Sequence, residues 1–138
     1  METDTYIYSS IKFNSQTSIN KALQHMTSKM VKRGQDIIGP PKNKKMLLFI
    51  DDLNVPTIDE FGSQSTLEMV RQWIELNGFF DNTSLQWTYV TDCSLIVACS
   101  PNIQSPISER LTKHFWYIFY FLLLNSRILW FLGTKLYI

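Results

Sequence analysis

Nine residues, Met46 to Asn54 (MLLFIDDLN), constrain this chain more than any other stretch. Met46 to Ile50 are apolar without alternation, which reads as a strand covered on both faces, as an interior strand of a parallel sheet is. It ends in acid. Asp51 and Asp52 leave the strand at its carboxyl end, the edge at which open α/β sheets bind ligands. A hydrated Mg²⁺ is held in such places through one or two carboxylates, so Asp51 is the candidate metal ligand. Asp52 is then the candidate to orient or activate an attacking water. A buried strand followed by two solvated acids is also a common structural pattern, and the pair alone does not decide between the two.

Composition narrows the field. With 138 residues, 45% of them hydrophobic, the chain has material for about one domain with a sizeable core. A formal net charge of +1 offers no basic excess, so nucleic acid is not an expected partner. Cys93 and Cys99 lie in or beside an apolar run without CxxC spacing, which predicts buried reduced thiols and an intracellular compartment. The first residues, METDTYIYSS, lack the basic start and apolar core of a signal peptide, and secretion is not expected.

In chain order, Thr5 to Phe13 is aromatic and β-branched and predicts a strand. Apolar positions at Ile19, Leu23, Met26, Met30 and Val31 then predict an amphipathic helix capped by Ser18 and ending by Gly34. Gly39-Pro40-Pro41 predicts a turn, and Lys42 to Lys45 a solvated approach to the acidic strand. Pro56 ends regular structure beyond the acids. Leu67, Val70, Trp73 and Ile74 share one face of a second helix over Gln64 to Leu76, with Gly78 placed to stop it. Leu85 to Val90 predicts a short strand that could pair with a neighbour across Asn82 to Ser84. Ser94 to Cys99 predicts a second buried strand, ending at Ser100-Pro101-Asn102. Ser105 to His114 predicts a capped helix presenting Arg110 and Lys113.

The last segment changes character. Trp116 to Leu124 carries no charge, Asn125-Ser126-Arg127 interrupts it, and Ile128 to Ile138 is apolar again apart from Lys135. A membrane span needs about 20 apolar residues, and Arg127 near the middle would cost about 3 kcal/mol. The alternatives are a strand awaiting cover and an altered terminus that packs poorly; an exposed aromatic segment predicts insolubility.

Taken together, GPP, KKMLLFIDDLNVP, FGSQSTLEMVRQWIELNGFFD, SLIVACSP and SERLTKHF resemble, in order and spacing, the AAA+ motor modules of dynein heavy chains. The likeness is strongest to the third module of the ring and to the axonemal type, where FIDDLN stands in place of the CDEIN of cytoplasmic forms. It covers about Thr5 to Phe115. The resemblance implies a partial three-layer αβα P-loop NTPase core with a parallel sheet (1–115), followed by a divergent hydrophobic tail (116–138).

By the same resemblance Asp51 matches the Walker B aspartate that holds Mg²⁺ with ATP, and Asp52 the catalytic position that is glutamate in vigorous AAA+ hydrolases. Aspartate is shorter by one methylene, which implies weaker water activation and a regulatory site. Asn54, in the Asn-x-Pro that follows, and Ser100, at the sensor I position, match nucleotide-binding residues. Arg110 and Lys113 match the basic pair that points at the neighbouring module's nucleotide, where arginine offers a planar fork and lysine only charge.

The implied parent is an ATP-driven motor moving along microtubules in cytoplasm and cytoskeleton, at the ciliary axoneme. Its partners are neighbouring AAA+ modules and, through the full-length motor, microtubules and dynein intermediate and light chains. The sequence departs from that pattern in three places. No GxxxxGK(S/T) can be assembled from its glycines, so the Walker A strand and loop are expected to precede Thr5. The loop from Pro101 to Arg110 lacks the usual glycine-rich, arginine-containing run, and beyond Phe115 the likeness stops. The expectation is a fragment that binds and hydrolyses no ATP alone. The competing expectations are a non-catalytic interaction fragment, a non-functional short isoform, and a small membrane-anchored protein using Trp116 to Ile138.

Overall fold

The computed structural model describes residues 5–81, 85–99, 107–121 and 128–134. In chain order the elements are β1 (Tyr6–Lys12), α1 (Ile19–Thr27), β2 (Val31–Lys32), β3 (Ile37–Gly39), β4 (Lys45–Asp51) and α2 (Ser65–Leu76). There follow β5 (Gly78–Asp81), β6 (Gln86–Val90), β7 (Cys93–Cys99), α3 (Glu109–Thr112), β8 (Phe115–Phe121) and β9 (Ile128–Thr134).

The acidic strand β4 runs inside a five-stranded sheet of order β1-β4-β7-β9-β8. It is parallel to both neighbours, with Lys12 opposite Asp51 and Ile50 opposite Val97. β9 joins β7 antiparallel, and β8 pairs antiparallel with β9. The α/β fold with a parallel sheet is thus as the sequence predicts. Successive right-handed crossovers advancing in one direction put their helices on one face, and α1 and α2 do touch each other.

That shared face explains how β4 is buried. Met46, Leu48 and Ile50 are at most 1% exposed and share a core with Ala22, Leu23 and Met26 of α1 and Leu67, Val70 and Trp73 of α2. Burying each of the large side chains contributes about 1.5–3 kcal/mol. On the opposite face Leu47 and Phe49 are only half-buried, so the expectation of two sealed faces holds for one.

α1 begins as predicted, with Lys21 N donating to the Ser18 hydroxyl at 3.4 Å. It ends early. The Thr27 hydroxyl bonds the Leu23 carbonyl at 2.8 Å and the Ser28 hydroxyl the His25 carbonyl at 2.7 Å, closing the last turn. Val31 and Lys32 then pair with Gly39 and Ile38 as strands β2 and β3, which corrects the expectation of a helix reaching Gly34.

These two strands open a second sheet of order β2-β3-β6-β5. Arg33 clamps it: Nε donates to Pro40 O at 2.8 Å, Nη2 to Pro41 O at 3.2 Å, and Nη1 pairs with Asp92 just before β7. α2 stops at Asn77, which takes the left-handed conformation (φ 53°), rather than at Gly78. Gly78 instead opens β5, where a Cβ would lie 2.4 Å from Thr88 O on β6.

α3 is a single turn capped by Ser108, not a helix from Ser105; residues 107 and 108 are non-helical and 100–106 lie outside the described residues. One turn is unstable alone, and Leu111, 1% exposed, anchors it. The apolar tail supplies β8 and β9; Arg127 lies outside the described residues. No helix among the described residues is long and apolar enough to cross a membrane.

β1 forms one margin of the large sheet. Thr5 O accepts from Lys45 N, so the odd residues face β4 and the even ones face outward. Two outward carbonyls are occupied by α1 and the turn after it: Lys29 Nζ donates to Tyr8 O at 2.6 Å, and His25 Nε2 donates to Ser10 O at 2.8 Å.

Candidate functional site

Asp51 is the last residue of β4, and Phe13 N holds its carbonyl at 2.9 Å. Asp52 turns the chain with φ 55°, and its amide donates to Asp51 Oδ1 at 2.9 Å. Leu53 N reaches back to Ala98 O on β7 at 3.0 Å, so the acidic tip and the end of the cysteine-bearing strand are fastened together. Both carboxylates remain open to water, with side chains 36% and 24% exposed. Asn54 is placed differently. It is buried, at 4% exposure, and its carbonyl accepts from Gln64 Nε2 at 3.5 Å.

Cys99 at the tip of β7 reports the same juxtaposition. Burial, then the negative charges of Asp52 and Asp51, push its thiol up to about 12. Cys93, at the other end of the strand, is also pushed up to about 12, chiefly by burial. Both thiols are free and protonated at neutral pH.

The sequence reading did not single out Lys12. Its ammonium lies 3.0 Å from Asp52 Oδ2 and 3.8 Å from Asp51 Oδ2. Only the parallel register of β1 on β4 brings it there, and no motif announces that pairing. The loop expected after Pro56 holds a hydrogen-bonded cluster that no motif announces. Asp59 accepts from Phe61 N, Ser63 N and the Ser63 hydroxyl, and these bonds, the hydroxyl first, hold its carboxyl below the usual range. Phe61 stands at the tip, 93% exposed.

The basic pair is split in behaviour. Arg110 is exposed and forms no ion pair among the described residues. Lys113 is drawn back onto α2: its Nζ lies 3.4 Å from Glu75 Oε1, to which His114 Nε2 also donates at 2.8 Å. Arg71 completes the cluster by pairing with Glu68 and Glu75. His114 first, with Arg71 and Lys113 adding, keeps the Glu75 carboxyl below its usual 4.5. Ser100 lies outside the described residues.

Among the described residues no three His, Cys, Asp or Glu side chains converge on a closed metal cage. Mg²⁺ does not require one, since it commonly keeps its waters and takes one or two carboxylates plus phosphate oxygens. The open Asp51–Asp52 pair fits that requirement in donor type.

Comparison with known proteins gives the family of the chain. The family described as the P-loop containing dynein motor region matches residues 1–121. The chain belongs to that dynein family. The dynein motor-region chain is 38% identical over 109 residues to human dynein axonemal heavy chain 14, and 34% identical over 116 residues to human dynein axonemal heavy chain 6. It is 33% identical over 116 residues to mouse dynein axonemal heavy chain 1. These alignments take in 79%, 83% and 82% of the chain but 3% of each relative, so the dynein chain spans a small part of the length of the proteins it matches.

Proposed function

We propose that this dynein chain supplies the acidic edge of an ATP-using motor module of the axonemal type, and that its 138 residues alone do not hold the nucleotide. The observation carrying this reading is the placement of Asp51 and Asp52 at the carboxyl end of an interior parallel strand, fastened to the tip of β7. Mg²⁺, when bound with ATP, would neutralise charge on the β- and γ-phosphates. Asp51 would hold its water shell, and Asp52 would orient water from a left-handed backbone position that aims its shorter side chain. Asn54 would serve the nucleotide site from just beyond the acids, and Ser100 would offer the hydroxyl that its match to the sensor I position implies. Arg110, free of intramolecular pairing among the described residues, would serve a neighbouring module's nucleotide, with Lys113 contributing charge if Glu75 releases it.

The parent activity is microtubule sliding in the ciliary axoneme, with adjoining AAA+ modules, microtubules and intermediate and light chains as partners of the whole motor. Backbone amides and a lysine of a glycine-rich loop contribute most phosphate affinity, and no such loop occurs in this sequence. Calorimetric titration of the purified chain with Mg·ATP should therefore show no stoichiometric binding at micromolar concentration. Tight one-to-one binding would overturn the claim that the acidic edge depends on a loop outside it. An antibody raised against the exposed 57–63 loop should label axonemes, and staining confined to other structures would overturn the axonemal assignment.

A further inference from the structure

We propose that Lys12 is a tethered counter-ion that competes with a divalent cation for the Asp51–Asp52 pair. The proposal rests on Asp51 being the cation ligand of the reading above.

Lys12 ends β1 directly opposite Asp51, and its ammonium lies within 4 Å of a carboxylate oxygen of each aspartate, closer to Asp52. A cation entering between the carboxylates meets a positive charge already there. Each strand holds its own end of this arrangement: Phe13 N bonds Asp51 O, Leu53 N bonds Ala98 O, and Asp52 N bonds Asp51 Oδ1. The backbone of both aspartates is therefore fixed beside the lysine, and the Asp51 carboxylate is held as well. The lysine can leave, because its side chain is 70% exposed.

Magnitude decides what kind of device this is. A well-solvated ammonium is a weak competitor, since exposed ion pairs are individually small and screened by salt. Lys12 therefore tunes the pair without blocking it. Removing the charge should raise divalent affinity by about three- to tenfold at low ionic strength, and the gain should shrink as salt is added.

The test uses Mn²⁺ alone as the probe. Its binding to the purified chain is followed by electron paramagnetic resonance and by paramagnetic broadening of the Asp51, Asp52 and Leu53 amides. Lys12→Gln should bind Mn²⁺ about three- to tenfold more tightly than the parent chain. Lys12→Arg, which keeps the charge, should stay within about twofold of it. Adding Asp51→Asn to Lys12→Gln should abolish the gain. If Lys12→Gln matches the parent while Asp51→Asn still weakens binding, the counter-ion role is wrong and the cation role of Asp51 stands. If neither parent nor Lys12→Gln binds Mn²⁺ at millimolar concentration, or Asp51→Asn changes nothing, the cation role of Asp51 falls and the counter-ion proposal falls with it.

Discussion

The two sheets reach order by different means. In the large sheet, β4 and β7 are long apolar strands whose sealed side chains pack under α1 and α2, so position follows from burial. In the small sheet the strands have two to five residues and several exposed side chains, among them Val31, Ile37, Phe80 and Tyr89. Position there comes from local pairing, from the Arg33 clamp on Pro40, Pro41 and Asp92, and from the absence of a side chain at Gly78. The candidate site sits on the sheet built by burial, while the small sheet braces the approaches to β4 and β7.

The contrast can be broken most forcefully at Ile50. Ile50→Ala removes a fully buried side chain one residue before the acids and should cost about 2–5 kcal/mol in denaturant unfolding. Hydrogen exchange should rise first in β4 and β7. Gly78→Ala tests the other side. The added methyl would collide with a backbone oxygen, at a cost of about 1–3 kcal/mol. Its exchange signature should be confined to β5 and β6, and equal loss of protection in β4 would show that the two sheets are one cooperative unit.

The smallest effect belongs to the ionic cluster joining α2 to the segment after α3. Glu75 has a lowered folded pKa, so its contribution to stability is fully present above its usual 4.5 and is lost as pH falls through the lower folded value. The thermal midpoint should therefore drop more steeply below about pH 4.5 in the parent than in Glu75→Gln. Parallel curves would show that the cluster is not coupled to folding.

What the sequence revealed follows the same division. β4 and β7 were legible because an unbroken apolar run of that length has few other fates. The helix before them was legible in its start and not in its end, because Met30 and Val31 continue the helical spacing while two hydroxyls close the helix at Thr27 and Ser28. β2 and β3 were invisible, being too short to show a period. At the site, the aspartates announced themselves by position on their own strand. Lys12 did not, since its meaning depends on register against a strand 33 residues further along, the separation from Lys12 to Lys45.

The capped margin of β1 has a consequence for assembly. A bare strand there would invite an added strand from any neighbour, and in a crowded organelle that invites polymerisation. With Tyr8 O and Ser10 O already bonded to Lys29 and His25, an incoming backbone finds two of its docking points taken.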